Sequence, residues 1–302
     1  MESEKESKKL LSVTADFVFK HIFGLGEHKR ILVSLLNSIL RGEPEIESLE
    51  LINPEIPRDR ENGKDIRLDI LARTPRGTIL NIEIQCKNYD DILNRAAFYQ
   101  YRIIPRELDS GQNYNSIPDV ISIWITDFPI FADRKYHLNE ITNAILNNGI
   151  DPMEVGTRKF RTLTLELTKM KYAAGDMMYK DNINMLHLWM TFIKHPAIIP
   201  EDIINRVPEI GEAMTELKKI SGDKNFRIQY DAYLMAKNDR IAAETTAMER
   251  GIEKGIEKGR KEGKRDTALL MLRKNMDLEL VAECTGLDRK ELLGLKETLK
   301  VW

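Results

Sequence analysis

The chain has 302 residues and a formal net charge of −2, and 42% of its residues are hydrophobic and 31% charged. This composition is typical of globular proteins and excludes disordered and collagen-like chains. It also excludes proteins that bind nucleic acid through a strongly basic overall charge, so any nucleic-acid contact must come from local patches of basic residues. Cys86 and Cys284 lie in different segments and build no disulfide framework or CxxC zinc site, which favours a reducing, cytoplasmic setting. The sequence shows no signal peptide and no membrane-spanning apolar run.

Two helices are predicted near the N-terminus. The first begins after Thr14, which is expected to cap it, and ends at Gly24. The second covers about residues 27–40, where apolar residues recur at i, i+3 and i+4, and Gly42 follows as a stop signal. This apolar stripe predicts a helix that lies on a sheet.

The middle of the chain predicts the sheet itself. Three extended segments cover about residues 46–56, 67–74 and 78–87. The last two are joined by Pro75-Arg76-Gly77 and predict a hairpin. Further on we expect a helix over about 90–108, the strand 120–125, and one or two strands between 131 and 167. Helices and strands in this order indicate an α/β fold.

The rest of the chain is predicted to be helical. We expect four parts: an α/β domain over 1–172, a helical region over 173–248, a glycine-repeat segment over 249–266, and a small helical hairpin over 267–302. Gly251, Gly255, Gly259 and Gly263 recur every four residues, which fits either a charged helix or a flexible linker. Asp288 is a good N-cap, and the last part fits a helix-turn-helix or a plain hairpin. Copies of the chain could associate through these helices.

The predicted hairpin brings two acids together. With a three-residue turn, Asp69 lies opposite Glu83, and directly opposed Cβ atoms are about 4.5–5.5 Å apart. Two carboxylates this close repel each other unless a proton or cation lies between them. Mg²⁺ or Mn²⁺ accepts such oxygen ligands, and the Ile84 carbonyl could be a third. Alternatively, both acids lie on the solvated face of an edge hairpin, with Asp69 paired to Arg67.

The same residues resemble the PD-(D/E)XK nuclease signature, with Gln85 in place of its last lysine. The wider pattern resembles the Rpn family of recombination-promoting nucleases, also described as transposases, over roughly residues 13–130. The matching positions are Asp16-Phe17-Val18-Phe19-Lys20, Phe23-Gly24, Leu35-Leu36-Asn37-Ser38-Ile39-Leu40, Asn81-Ile82-Glu83-Ile84-Gln85, Arg95, Tyr99, Gly111 and Tyr114. The resemblance implies a restriction-endonuclease-like core, a central mixed sheet flanked by helices, and a Mg²⁺-dependent endodeoxyribonuclease linked to recombination or transposition.

The resemblance also implies roles for individual residues. Asp69 and Glu83 would bind the metal, Gln85 would orient the attacking water, and Asp16 would be a further acid. An amide cannot take a proton from water, so Gln85 cannot be the general base. Lys20 shares a helix face with Asp16 and is the candidate to replace the missing lysine, although the two could simply pair with each other.

Contacts to DNA phosphates are predicted on the helix after the hairpin. Arg95, Tyr99 and Arg102 fall on neighbouring turns there, and Lys87 flanks the hairpin. The alternative is a solvated helix face with Tyr99 packed against the sheet. The five histidines show no HxxxH or HExxH spacing, which predicts ordinary surface or core residues. The rival to a nuclease is a catalytically inactive DNA-binding or assembly protein, and RNA is not separated from DNA as the substrate.

Overall fold

The computed structural model describes residues 10–41, 43–57, 66–142, 145–146, 153–154, 159–172, 177–179 and 182–299. Its helices are α1 (Asp16–Phe23), α2 (Lys29–Ile39), α3 (Ile92–Ile103), α4 (Met185–Lys194), α5 (Glu201–Arg206), α6 (Pro208–Gly222), α7 (Lys224–Arg273), α8 (Leu278–Thr285) and α9 (Arg289–Leu299). Its strands are β1 (Glu50–Ile52), β2 (Glu55–Ile56), β3 (Ile66–Arg67), β4 (Ile70–Arg73), β5 (Ile79–Gln85), β6 (Val120–Thr126), β7 (Leu138–Thr142), β8 (Ile145–Leu146), β9 (Met153–Glu154), β10 (Phe160–Glu166), β11 (Met178–Tyr179) and β12 (Asn182–Ile183). The chain divides into two compact units, Met1–Arg227 and Ile228–Trp302.

A six-stranded sheet forms the centre of the first unit, in the order β1-β4-β5-β6-β10-β7. The β5–β6 and β6–β10 pairs are parallel, and the other three pairs are antiparallel. Strands β5, β6 and β10 are buried along nearly their whole length, as expected for central strands covered on both faces. The sheet is therefore mixed, as predicted. Three two-stranded ribbons, β2–β3, β8–β9 and β11–β12, complete the strands in the described part of the chain.

The β4–β5 hairpin has the predicted turn and register. Gly77 has a φ of +85°, and the turn is closed by hydrogen bonds from Gly77 N–H to the Thr74 carbonyl (2.9 Å) and from Thr74 N–H to the Thr78 carbonyl (3.0 Å). Ile70 lies opposite Ile82. The alternative of a solvated edge hairpin is wrong, because β5 lies between β4 and β6 and Glu83 is only 4% exposed.

Helices α1 and α2 pack with α4 and α6 in the first unit. The core of this layer is aromatic: the Phe23 ring lies 5.7 Å from that of Trp189 and 6.3 Å from that of Phe192. Thr14 does not cap α1, which corrects that prediction, since its hydroxyl hydrogen-bonds with Ser12 Oγ at 2.7 Å. Gly42, the predicted stop of α2, lies outside the described residues.

Helix α3 ends earlier than predicted. The chain continues from it into a single 3₁₀ turn, Ile104–Glu107, which contains Pro105. Proline has no N–H to donate to the preceding helical turn, so an α-helix cannot continue regularly through it.

The second unit is entirely helical in its described part. The predicted glycine repeat lies within α7, a helix of 50 residues, so the linker alternative is wrong. Gly286, with a φ of +65°, ends α8. The Asp288 carboxylate accepts a hydrogen bond from Glu291 N–H at 2.7 Å, and Glu291 accepts one from Asp288 N–H at 3.2 Å, so Asp288 caps α9 as predicted. The boundaries between the four predicted parts stay predictions.

The second unit has a small hydrophobic core of its own. Its buried members are Ala268, Leu272, Val281, Leu292 and Leu295. They come from the end of α7, from α8 and from α9, so the three helices share one apolar cluster. None of the helices in the described part of the chain combines the length and apolarity needed to cross a bilayer.

Candidate active site

Two hydrogen bonds hold Asp69 against strand β5, one to Glu83 and one from Ile84. Asp69 lies in the bend between β3 and β4, and its N–H donates to Glu83 Oε1 at 3.2 Å. In return, Ile84 N–H donates to Asp69 Oδ2 at 2.9 Å. The Asp69 carboxylate thus occupies a place that a backbone carbonyl would take in a regular ladder. The two acids predicted to be neighbours are brought into one cluster, next to the Ile84 backbone.

Burial makes this cluster electrostatically costly. Burial, and then the charge of Asp69, raise the pKa of Glu83 well above its ordinary value of 4.5. Burial also raises the pKa of Asp69, although the Lys20 ammonium and the Ile84 N–H oppose that effect. Two ionised carboxylates are therefore unfavourable here without an added cation. The donors are all oxygen atoms, which is the ligand set that Mg²⁺ and Mn²⁺ accept.

Lys20 reaches this cluster from α1. Its Nζ lies 2.8 Å from Asp69 Oδ1, and 31% of its side chain is exposed. Lys20 therefore pairs with the hairpin acid rather than along the helix with Asp16. Asp16 is exposed, and its negative charge contributes to the raised pKa of Asp69, after burial, so it acts on the same site. The structure thus brings together Asp16, Lys20, Asp69 and Glu83.

Gln85 and Arg95 form a second polar group beside the acids. Gln85 Oε1 accepts a hydrogen bond from Arg95 Nη1 at 3.3 Å, and Gln85 Nε2 donates to the Lys87 carbonyl at 3.1 Å. Arg95 Nη2 donates to the Tyr99 hydroxyl at 3.1 Å. The charge of Arg95 also opposes the rise of the Glu83 pKa caused by burial. Arg95 thus belongs to the electrostatics of the acid cluster.

The Trp124 ring packs against Arg95, a contact that the sequence did not predict. The Arg95 guanidinium carbon lies 5.2 Å from the centre of the Trp124 ring and 5.6 Å from that of Tyr99. The two aromatic rings stack with 5.6 Å between their centres. Tyr99 is therefore packed against a residue of the sheet, as the alternative prediction stated. Its hydroxyl also accepts the hydrogen bond from Arg95. The sequence placed Trp124 on an apolar strand but gave no sign of its partner.

The two remaining predicted phosphate contacts have partners within the protein. Arg102 donates a hydrogen bond to the Pro57 carbonyl. Lys87 Nζ lies 4.7 Å from the centre of the Tyr89 ring. Their roles in DNA binding stay predictions.

Residues 13–247 match a family model described as PD-(D/E)XK nuclease family transposase. Comparison with curated proteins and with solved structures gave no significant match. The mixed sheet flanked by helices fits a PD-(D/E)XK α/β core, which confirms the predicted fold class. The resemblance found in the hairpin and first helices is confirmed by a match that extends through α4 and α6 into α7.

Proposed function

We propose a metal-dependent DNA endonuclease function for this chain, which belongs to the PD-(D/E)XK nuclease family transposases. The observation that carries the proposal is the convergence of Lys20, Asp69 and Glu83: the Lys20 ammonium lies 2.8 Å from the carboxylate of Asp69, whose backbone N–H donates a hydrogen bond to the Glu83 carboxylate. Metal-dependent hydrolysis of phosphodiester bonds uses oxygen ligands that hold the cation and a positive group that stabilises the developing charge. This cluster supplies both, and recombination or transposition is the setting that the family suggests.

Asp69, Glu83 and the Ile84 carbonyl are the proposed ligands of Mg²⁺ or Mn²⁺. Two observations support this fit. All the proposed ligand atoms are oxygens, and burial raises the pKa of both acids, so their ionised forms are unfavourable until a cation binds between them. When bound, a divalent cation lowers the pKa of water and neutralises charge on a phosphate. Asp16, which is exposed and acts on Asp69 through its charge, is proposed as a further acid of the site.

The remaining chemistry belongs to side chains. Lys20 is the proposed replacement for the signature lysine, with its ammonium stabilising negative charge that develops on the scissile phosphate. Gln85 has one amide oxygen and one amide nitrogen already bonded, but each atom can make a second hydrogen bond and so orient a water. It cannot accept the proton of that water, which must pass to solvent or to a phosphate oxygen.

DNA is the proposed partner, with Lys20, Lys87, Arg95, Tyr99 and Arg102 as phosphate contacts. These groups supply local positive charge and one hydroxyl, as a chain with a net charge of −2 requires. We expect the activity in a reducing, cytoplasmic setting, since Cys86 and Cys284 carry thiols rather than a disulfide.

The test is cleavage of supercoiled plasmid by the full chain in Mg²⁺, Mn²⁺ or EDTA, beside a labelled RNA of similar length. We expect metal-dependent nicking of the plasmid that is lost in Glu83→Gln. Glu50→Gln, which removes an exposed acid from β1 of the same sheet, is the matched control and should cleave normally. Equal cleavage by Glu83→Gln would remove the site assignment. A folded protein that shifts DNA but cleaves in no metal would favour the binding or assembly protein.

A further inference from the structure

A second group of metal-ligand side chains lies apart from the hairpin acids. His21 comes from α1, His28 from the 3₁₀ turn Gly26–His28, and Glu216 from α6. One ligand atom from each lies within 4.8 Å of the others, and His21 Nε2 is 2.8 Å from Glu216 Oε1. Two neighbouring elements near the N-terminus and one helix whose Glu216 lies 195 residues after His21 therefore direct two imidazoles and a carboxylate to one place in the first unit.

His28 gives an independent indication of a ligand. The residue is 8% exposed, and among the described residues neither of its ring nitrogens has a hydrogen-bond partner. The nearest carboxylate oxygens belong to Glu27, 3.8 Å from Nε2, and to Glu212, 3.9 Å from Nδ1, both beyond hydrogen-bond distance. A buried imidazole without a hydrogen-bond partner is destabilising, and a bound metal ion would remove that cost.

We propose that His21, His28 and Glu216 bind a transition-metal ion of the zinc type. Imidazole and carboxylate together suit Zn²⁺, whereas Mg²⁺ prefers oxygen donors alone. A metal on Nδ1 of His28, the nitrogen nearer Glu212, leaves Nε2 to donate to Glu27, and such a second hydrogen bond is the usual arrangement of a ligating histidine.

Only modest movements are needed to close this site. Metal–ligand distances of about 2.0–2.2 Å place ligand atoms of a tetrahedron about 3.3–3.6 Å apart. Lys219, whose Nζ lies 3.0 Å from Glu216 Oε2, is 72% exposed and can leave without disturbing the core. Glu212 lies one helical turn before Glu216 and is 38% exposed, so it is free enough to become the fourth ligand.

The ion would tie α1 to α6. Helix α1 also carries Lys20, directly before His21. A metal ion bound to His21 would therefore fix the helix that presents the Lys20 ammonium to Asp69. The proposed role is therefore structural. It stands independently of nuclease activity, because it uses neither Asp69 nor Glu83.

Metal binding by the full chain tests the proposal. Metal-stripped protein is titrated with Zn²⁺ by calorimetry in excess Mg²⁺, and with Co²⁺ by the visible absorption of tetrahedral cobalt. We expect one Zn²⁺ per chain, an affinity reduced at least about 10-fold in His28→Gln, and a rise in Tm with zinc that this variant lacks. His187→Gln is the matched control, since His187 is also 8% exposed but lies outside the cluster.

Two further variants make the result decisive. Glu83→Gln should keep the zinc site, which separates it from the hairpin acids whether or not the chain cleaves DNA. Glu216→Gln should lose it, and this variant decides the matter if circular dichroism shows that His28→Gln does not fold. Unchanged zinc affinity in both His28→Gln and Glu216→Gln, or no zinc binding by the wild-type chain, would overturn the proposal.

Discussion

Lys20 Nζ lies 2.8 Å from Asp69 Oδ1, so the first helix delivers an ammonium to the acid of the hairpin. The signature of the family would place a lysine at position 85, where this chain has glutamine. The amide of Gln85 is bonded to Arg95 and to the Lys87 carbonyl. Lys20 therefore provides from α1 the positive charge that β5 lacks.

Replacing Lys20 by alanine should reduce plasmid nicking strongly. Loss of one group that stabilises transition-state charge typically costs about 10²–10³ in rate, and we expect this range at saturating Mg²⁺. Lys29→Ala, which removes an exposed lysine from α2, should leave the nicking rate unchanged. A Lys20→Ala protein that nicks at the wild-type rate would show that the Lys20–Asp69 pair has only a structural role.

Moving the lysine should restore part of the lost activity. In the double variant Lys20→Ala/Gln85→Lys, the ammonium returns to the position of the signature, beside the same two acids. We expect the double variant to nick faster than Lys20→Ala but more slowly than the wild type. The new ammonium would be repelled by the Arg95 guanidinium, whose Nη1 lies 3.3 Å from Gln85 Oε1 in the wild-type chain. No recovery in a folded double variant would contradict the idea that one lysine replaces the other.

The hairpin and its acids could be predicted because their signals are local. The turn residues 75–77 determine the register, and the register alone puts Asp69 opposite Glu83. The two N-terminal helices were predicted from apolar periodicity and the Asp288 cap from its residue type, whereas the mixed sheet was implied only by the family resemblance.

Contacts between segments that are distant in the chain could not be predicted from the sequence. The solvated edge was a reasonable alternative because the pattern of the hairpin does not reveal that β5 also pairs with β6, which makes it an inner strand. Trp124 behind Arg95 and Glu216 beside His21 depend on packing between segments far apart in the chain. The histidines looked ordinary because spacing motifs detect ligands on one element, not ligands from three.

Arg95→Ala should lower the turnover number more than it raises KM. Arg95 holds Gln85 and offsets part of the rise in the Glu83 pKa that burial causes. Without Arg95, the pKa of Glu83 rises further, so the acid limb of the pH–rate profile should move to higher pH. Arg102→Ala, on the same helix, is the control and should not move that limb. If Arg95→Ala changes only KM, its role is in DNA binding alone.

Glu83→Gln should stabilise the metal-free protein at neutral pH. Because burial raises the pKa of Glu83 well above 4.5, the folded state binds this proton more tightly than the unfolded chain does. Stability therefore falls as the pH rises above about 4.5 and through the raised pKa, and glutamine has no such proton to lose. The Tm of the variant in EDTA should exceed that of the wild type by a margin that grows with pH. Glu50→Gln should show no such trend, and a margin that shrinks with pH would contradict the buried acid.

Gly255→Ala should increase the helicity of α7. Gly255 is exposed within this helix, and a Cβ added there meets no atom of the chain within 4 Å. Alanine is favoured over glycine in a helix interior by up to about 1 kcal/mol, so circular dichroism should show more helix and a higher midpoint of unfolding. Ala247→Gly, at another exposed position of α7, should have the opposite effect. A loss of helicity or of self-association in Gly255→Ala would instead indicate that the glycines let a helix of a second copy approach closely, and sedimentation equilibrium measures that association.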